Sequence, residues 1–336
     1  MGDVSDLDDV AARYDRFARE EAPGRSALYE TWAGLARDEP AVTAVLARIR
    51  ETHRQPPLVF AVSRLLGAPE RPDDAWASWV VANADALVIG CEARSIQTNE
   101  PLRCAALLPA LALIPGPIAL VEIGASAGLC LYPDRYSYRY RMPDGTVAAI
   151  DPPTGPSAVV LDSAWSGGPP PTALPQIVWR AGIDLSPLDP ADPRDRAWLE
   201  GLVWPGEEGR RERIAAAAAI AAAEPALLAR GDATAPGVIA ALAASAPPDA
   251  TLVVTTPGVL AHVPRIGRRR VIDAARSAGR WITLDAPSLH DGWATPVPRD
   301  WPGSRFALAL DGEVLAAVDP LGASVEWRRG VEAARG

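Results

Sequence analysis

A doubly wound α/β fold, with a mostly parallel sheet and a helical layer ahead of it, is what this sequence predicts. Three features predict it. The apolar run Ile118-Ala-Leu-Val reads as a buried strand and passes at once into Glu122-x-Gly124-x-x-x-Gly128, a tight turn into a helix. Beyond residue 118, short apolar strands alternate with helical stretches, the texture of a doubly wound sheet. Ahead of it, residues 1 to about 113 read as helical throughout.

Taken in order, Leu7, Val10, Ala11, Tyr14, Phe17 and Ala18 fall on one helical face, and Gly24 can stop that helix. Val42, Val45, Leu46 and Ile49 make a second face after Pro40. Leu58 to Leu66 and Trp76 to Ile89 supply two more helical stretches. Such a layer can simply pack on the main domain or act as a lid over a substrate. Cys104 to Val121 carries no charge, which approaches the length of a membrane span. Pro109, Pro115, Gly116 and Pro117 interrupt it, so it reads as a buried helix, a turn and a buried strand. The expected division is a helical cap over 1–113 and an α/β domain over 114–336. An insertion of short extended pieces falls at about 136–175. After it, Gln176 to Asp184 reads as a strand, and a helical region runs through the alanine-rich 215–223. LLARGDA (227–233), a short helix and TLVVTTPGVL (251–260) follow, and a basic helix over 265–278 leads to RWITLDAP (280–287). The chain ends in an antiparallel hairpin around Asp311-Gly312.

Composition narrows the function. Apolar content of 49% and charged content of 22% are those of a soluble globular protein. Net charge is -9 and no basic stripe stands out, so nucleic acid is not the expected partner. All 33 basic residues are arginine. Without lysine there can be no P-loop lysine, no pyridoxal Schiff base and no kinase-type lysine. Cys91, Cys104 and Cys130 form no C-x-x-C pair, and no metal-ligand spacing appears. A reducing cytoplasm, no membrane and a small-molecule partner are expected. The acidic, polar start MGDVSDLDDV does not read as a secretory signal.

The glycine loop is the leading site. Its glycines let the backbone approach a ligand closely, and a new helix there would present unpaired N–H groups. Ser126 and Leu129 stand where the dinucleotide pattern needs glycine, so that cofactor class is disfavoured. Glu122, two positions before Gly124, suits a cofactor carrying positive charge. Asp184 in GIDLSP and Asp232 in RGDA end later strands, as cofactor acids or as turn and cap residues. Asp151 in AAIDPP is the alternative to Asp184. A dense polar patch holds Arg94, Gln97, Thr98, Asn99, Glu100 and Arg103. It reads either as a helix cap, with Thr98 or Asn99 capping ahead of Pro101, or as a binding site in which two arginines hold an acid. His262 and His290 follow two of the strands and are candidate general bases.

Glu122-x-Gly124-x-x-x-Gly128 resembles the first motif of class I S-adenosylmethionine-dependent methyltransferases, a Rossmann-type fold. That resemblance implies a seven-stranded sheet with a terminal hairpin. It also implies S-adenosylmethionine held at Glu122, Gly124, Ala125, Ser126 and Gly128, with Asp184 on the ribose and Asp232 with Ala233 at the adenine. Arg94, Gln97, Asn99, Glu100, Arg103, Thr255 and Thr256 would then line the substrate side. A second resemblance spans nearly the whole chain. Arg94-Ser-Ile-Gln-Thr-Asn-Glu-Pro-Leu-Arg103, RAGIDLSPLDPADPRDRAWLEGLVWP (180–205) and ARGDA (229–233) are similar to the bacterial domain-of-unknown-function family 2332. Where that family usually has Phe-His-Thr/Ser in the fourth strand, this chain has Val254-Thr255-Thr256-Pro257. Its Pro-His-Gly is replaced by Pro320-Leu321-Gly322, and Cys130 stands where asparagine is common. The function expected is methyl transfer to a small molecule; the alternatives are a binding protein that keeps the fold without turnover and a non-methylating enzyme using the same pocket.

Overall fold

The computed structural model describes residues 4–294, 297–298 and 301–329. The chain forms two compact units, 1–98 with 192–215, and 99–191 with 216–336.

The first unit is helical. It contains α1 (Val4–Glu20), α2 (Ala27–Asp38), α3 (Pro40–Ala47), α4 (Pro56–Leu65), α5 (Ala75–Ala82) and α6 (Ala84–Glu92). After an excursion of the chain, α8 (Pro193–Gly201) and the start of α9 (Arg210–Ala223) rejoin it. Residues three and four apart share a helix face, so Val10, Tyr14 and Phe17 all turn inward on α1. Ser26 caps α2 by accepting from the Tyr29 N–H, and proline opens both α3 and α4. The core is aromatic: Tyr29, Trp32, Phe60 and Trp76 pack ring against ring.

The second unit is built on one sheet. Its strands are β1 (Pro117–Ile123), β2 (Ser137–Arg141), β3 (Val147–Ile150), β4 (Val160–Ser166), β5 (Gln176–Asp184), β6 (Leu227–Arg230), β7 (Thr251–Pro257), β8 (Arg280–Asp285), β9 (Phe306–Leu310), β10 (Glu313–Val318) and β11 (Ser324–Trp327). They lie in the order β3-β2-β4-β11-β10-β9-β8-β7-β1-β5-β6. The sheet is mostly parallel, as expected, but it has eleven strands rather than seven. The extra strands have a plain origin. The 136–175 stretch folds into β2, β3 and β4 and joins the same sheet. The C-terminal β11 bridges the two halves, antiparallel to β10 and parallel to β4. The hairpin at Asp311-Gly312 is present, both residues having positive φ as a tight two-residue turn requires.

The uncharged 104–121 run divides into α7 (Arg103–Leu111), every residue of it buried, a turn, and β1. Among the described residues no helix is long and apolar enough to cross a membrane. On one face of the sheet α10 (Val238–Ala243) and α11 (Arg265–Ala278) pack against Val121, Ile123, Ile183, Val254 and Trp281. Strand alternation turns Glu122 away from Val121 and Ile123, to the opposite face.

Candidate functional site

Strand order reverses at β1. The strands that follow it, β5 and β6, lie on one side, while β7 and β8 lie on the other. Open parallel sheets bind ligands at such a point, beyond the carboxyl ends of the strands. The loop 124–128 sits there, with Gly124, Ser126 and Gly128 at φ of 74°, 51° and 72°.

The loop's backbone donors are occupied by the protein itself. Gly124 and Ala125 N–H both donate to Ile183 O, at 2.8 and 3.1 Å. Ser126 N–H donates to Asp184 Oδ2 at 2.8 Å, Ala127 N–H to Asn99 Oδ1 at 3.2 Å, and Gly128 N–H to Ala125 O at 2.7 Å. The helix expected after the loop is a three-residue 3₁₀ turn, Leu129–Leu131, because the chain leaves here for the β2–β4 strands. Gly124 is required for packing: a Cβ there would run into Val259 Cγ2 from the segment after β7.

What the loop leaves unpaired is side-chain chemistry. Asn99 Nδ2, Glu122 Oε2 and Ser126 Oγ are all buried without a hydrogen-bond partner. An unpaired buried polar atom costs on the order of 1–3 kcal/mol, and three of them stand beside this one loop. Glu122 is pushed well above the ordinary carboxylate range by burial and by neighbouring Cys130 and Asp184; Arg103 opposes the shift. Beside the loop a cavity of about 410 Å³ opens, lined by Ala127, Tyr132, Pro187, Leu188 and Leu228 among others. That volume suits a small organic ligand.

Of the expected acids, Asp184 ends β5 and reaches the glycine loop, accepting from Ser126 N–H and, through Oδ1, from Ser186 N–H at 2.8 Å. Asp232 lies two residues beyond β6, where Thr234 donates to it and holds its pKa low. Ala233 packs against the core below. Asp151 follows β3 at the far edge, paired with Arg139 at 2.9 Å. Eight strand spacings separate β3 from β1, about 38 Å at roughly 4.8 Å each.

The polar patch divides between the units. Arg94 and Gln97 belong to the helical unit, where the Arg94 guanidinium lies over Trp198 and donates to Gly90 O. Asn99, Glu100 and Arg103 belong to the sheet unit. Neither Thr98 nor Asn99 caps a helix, since α7 begins only at Arg103 with Leu102 as its cap. Asn99 instead braces the loop, Glu100 Oε1 accepts from Leu102 N–H at 3.0 Å, and Arg103 donates to Pro257 O and Pro320 O at 2.9 and 3.0 Å. Arg103 thereby ties α7 to the end of β7 and to the segment after β10. The Thr255 hydroxyl donates to Val121 O, and the Thr256 hydroxyl accepts from Trp281 Nε1. His262 follows β7, with burial and the Arg103 charge holding its pKa below the ordinary value. His290 follows β8, its pKa lowered to about 4 by burial, Arg276 and Arg268, against Asp291.

One residue escaped the sequence reading. Asp285 closes β8 fully buried, with neither carboxyl oxygen bonded. Burial raises its pKa well above the ordinary value; Arg103, Arg268 and the nearby Leu260 and Gly258 N–H groups oppose this. Its only signal in the sequence was an acid ending an apolar run, RWITLD.

The sequence profile of one family, described as uncharacterized protein conserved in bacteria (DUF2332), matches residues 11–327. The chain belongs to that family. No curated protein and no solved structure matches it.

Proposed function

We propose that this member of the DUF2332 family binds S-adenosylmethionine at the 122–128 loop and transfers its methyl group to a small molecule. The observation that carries the reading is the convergence of unpartnered Asn99 Nδ2, Glu122 Oε2 and Ser126 Oγ at the reversal point of the parallel sheet. Asp184, ending β5, and Asp232, two residues beyond the neighbouring β6, are carboxylates suited to a vicinal diol and an amino group. These residues fit the cofactor, with one restriction. The loop's N–H groups are already bonded, so its side chains and not its backbone make the contacts. When bound, the cofactor supplies an electrophilic methyl group. The protein's part is alignment and exclusion of water, which needs no nucleophile of its own. Thr255 and Thr256 hold β7 in place through their hydroxyls, and Arg103 fixes its end.

Binding without turnover is the second reading, favoured by those engaged hydroxyls. Calorimetric titration with S-adenosylmethionine and S-adenosylhomocysteine tests the cofactor claim. Saturable binding of both is expected, weakened at least tenfold by Asp184→Ala. No binding to folded wild-type protein would overturn it. Methyl release in single-turnover assays against pooled metabolites separates the two readings.

A further inference from the structure

On the α10–α11 side of the sheet, a cavity of about 170 Å³ lies between α11 and the segment after β8. Arg265, Arg268, Arg269 and Arg276 line it, spaced by three, four and eleven residues from the first, so they share one helix face. Among the described residues two carboxylates, Asp273 and Asp291, line it with them. Asp291 serves two guanidinium groups, Arg265 at 3.1 Å and Arg269 at 3.6 Å. Arg268 is fixed by carbonyls, donating to Leu260 O at 3.0 Å, Val263 O at 3.2 Å and Leu289 O at 3.4 Å. Carbonyls orient a guanidinium without neutralising it. Arg276 lies over the Trp281 ring, 4.9 Å from its centroid. The floor is His290, packed between Trp281 and Trp293 and faced by the Thr283 hydroxyl.

We propose that this cavity binds the phosphoryl group of a small phosphorylated molecule. Four arginines against two acids leave positive charge unmatched, and planar guanidinium forks match phosphate oxygens in pairs. Fixed orientation of Arg268 and Arg276 removes part of the ordering cost of binding. Burial and, beside it, the same two charges lower the His290 pKa to about 4, which makes its ring a reporter of an anion arriving.

The test uses the full chain at constant ionic strength, titrated with inorganic phosphate and pyrophosphate against a chloride control. Binding is followed by calorimetry and by the His290 NMR signal, one of three histidines in the chain. Saturable binding is expected, with the His290 pKa moving up from about 4. The double variant Arg269→Gln/Arg276→Gln should lose at least tenfold in affinity. The Lys versions of both should recover part of it, and Arg194→Gln, exposed and not among the lining residues, should change nothing. Absence of saturation, or an equal loss in Arg194→Gln, overturns the proposal. So does preferential binding of single-stranded oligonucleotides or anionic vesicles over pyrophosphate, which would make this a polyanion surface.

Discussion

Replacing Glu122 by glutamine should stabilise the protein, and by more as the pH rises. The side chain is buried, its Oε2 is unpartnered, and its native pKa stands well above the ordinary 4.5 because of burial, Cys130 and Asp184. Below 4.5 the carboxyl is protonated in both folded and unfolded chains, and its contribution is fully present. Above that pH the unfolded chain releases the proton while the native chain keeps it, so stability is lost until the pH passes the native pKa. One proton changes stability by about 1.4 kcal/mol per pH unit. Glutamine has the same shape and does not titrate. The stability gap between variant and wild type should therefore widen by about 1.4 kcal/mol per unit inside that window and then level off. Asp285, raised in the same direction, tilts both proteins equally and cancels in the difference. Urea unfolding of the two proteins at half-unit intervals from pH 5 to 8 measures it. Parallel stability curves, or a gap that narrows with pH, would show that Glu122 is ionised in the native protein and that its burial has been misjudged.

Gly124→Ala should destabilise by about 2–4 kcal/mol, combining a left-handed backbone with overpacking against Val259. Val259→Ala should recover only part, since the Val259 Cβ itself would stand 2.9 Å from the added methyl; full stability in Gly124→Ala alone would refute this reading of the loop. Binding of S-adenosylmethionine, whose sulfonium is cationic, should ionise Glu122 and release up to about one proton, whereas the neutral S-adenosylhomocysteine should release none. Calorimetry at neutral pH in two buffers of different ionisation enthalpy reads the difference, and equal proton release by both ligands would place the sulfonium away from Glu122.

The legible part of the fold was the local part. The Pro117–Ile123 strand and the Asp311-Gly312 turn are set by residues adjacent in sequence, through burial alternation and positive φ. The eleven-strand sheet was not legible, because it depends on β4 pairing with β11 from about 160 residues away. Nothing in SAVVLDSAW says which edge it will seek. The pieces from SYRYR to that strand read as an insertion because they interrupt the alternation of strand and helix. They are continuous with the sheet because the Tyr138 and Tyr140 side chains need an apolar face, and α7 offers one: the Tyr140 hydroxyl donates to Ala105 O.

The site shows the same division more sharply. Two glycines and an acid at the end of a strand announce a tight turn, and the turn is there. They do not announce what fills the space the glycines leave. Val259, 135 residues further on, takes the room beside Gly124, and Ala125 takes that beside Gly182. The backbone donors that a glycine loop is expected to offer are consumed by Ile183, Asp184 and Asn99. Asp184 was rightly placed at the end of a strand, but its bonds go first to the loop. What separates a braced turn from a working site is the polar atoms left over after bracing. Here they are Asn99 Nδ2, Glu122 Oε2 and Ser126 Oγ, from two distant stretches of chain that only the fold brings to the same loop.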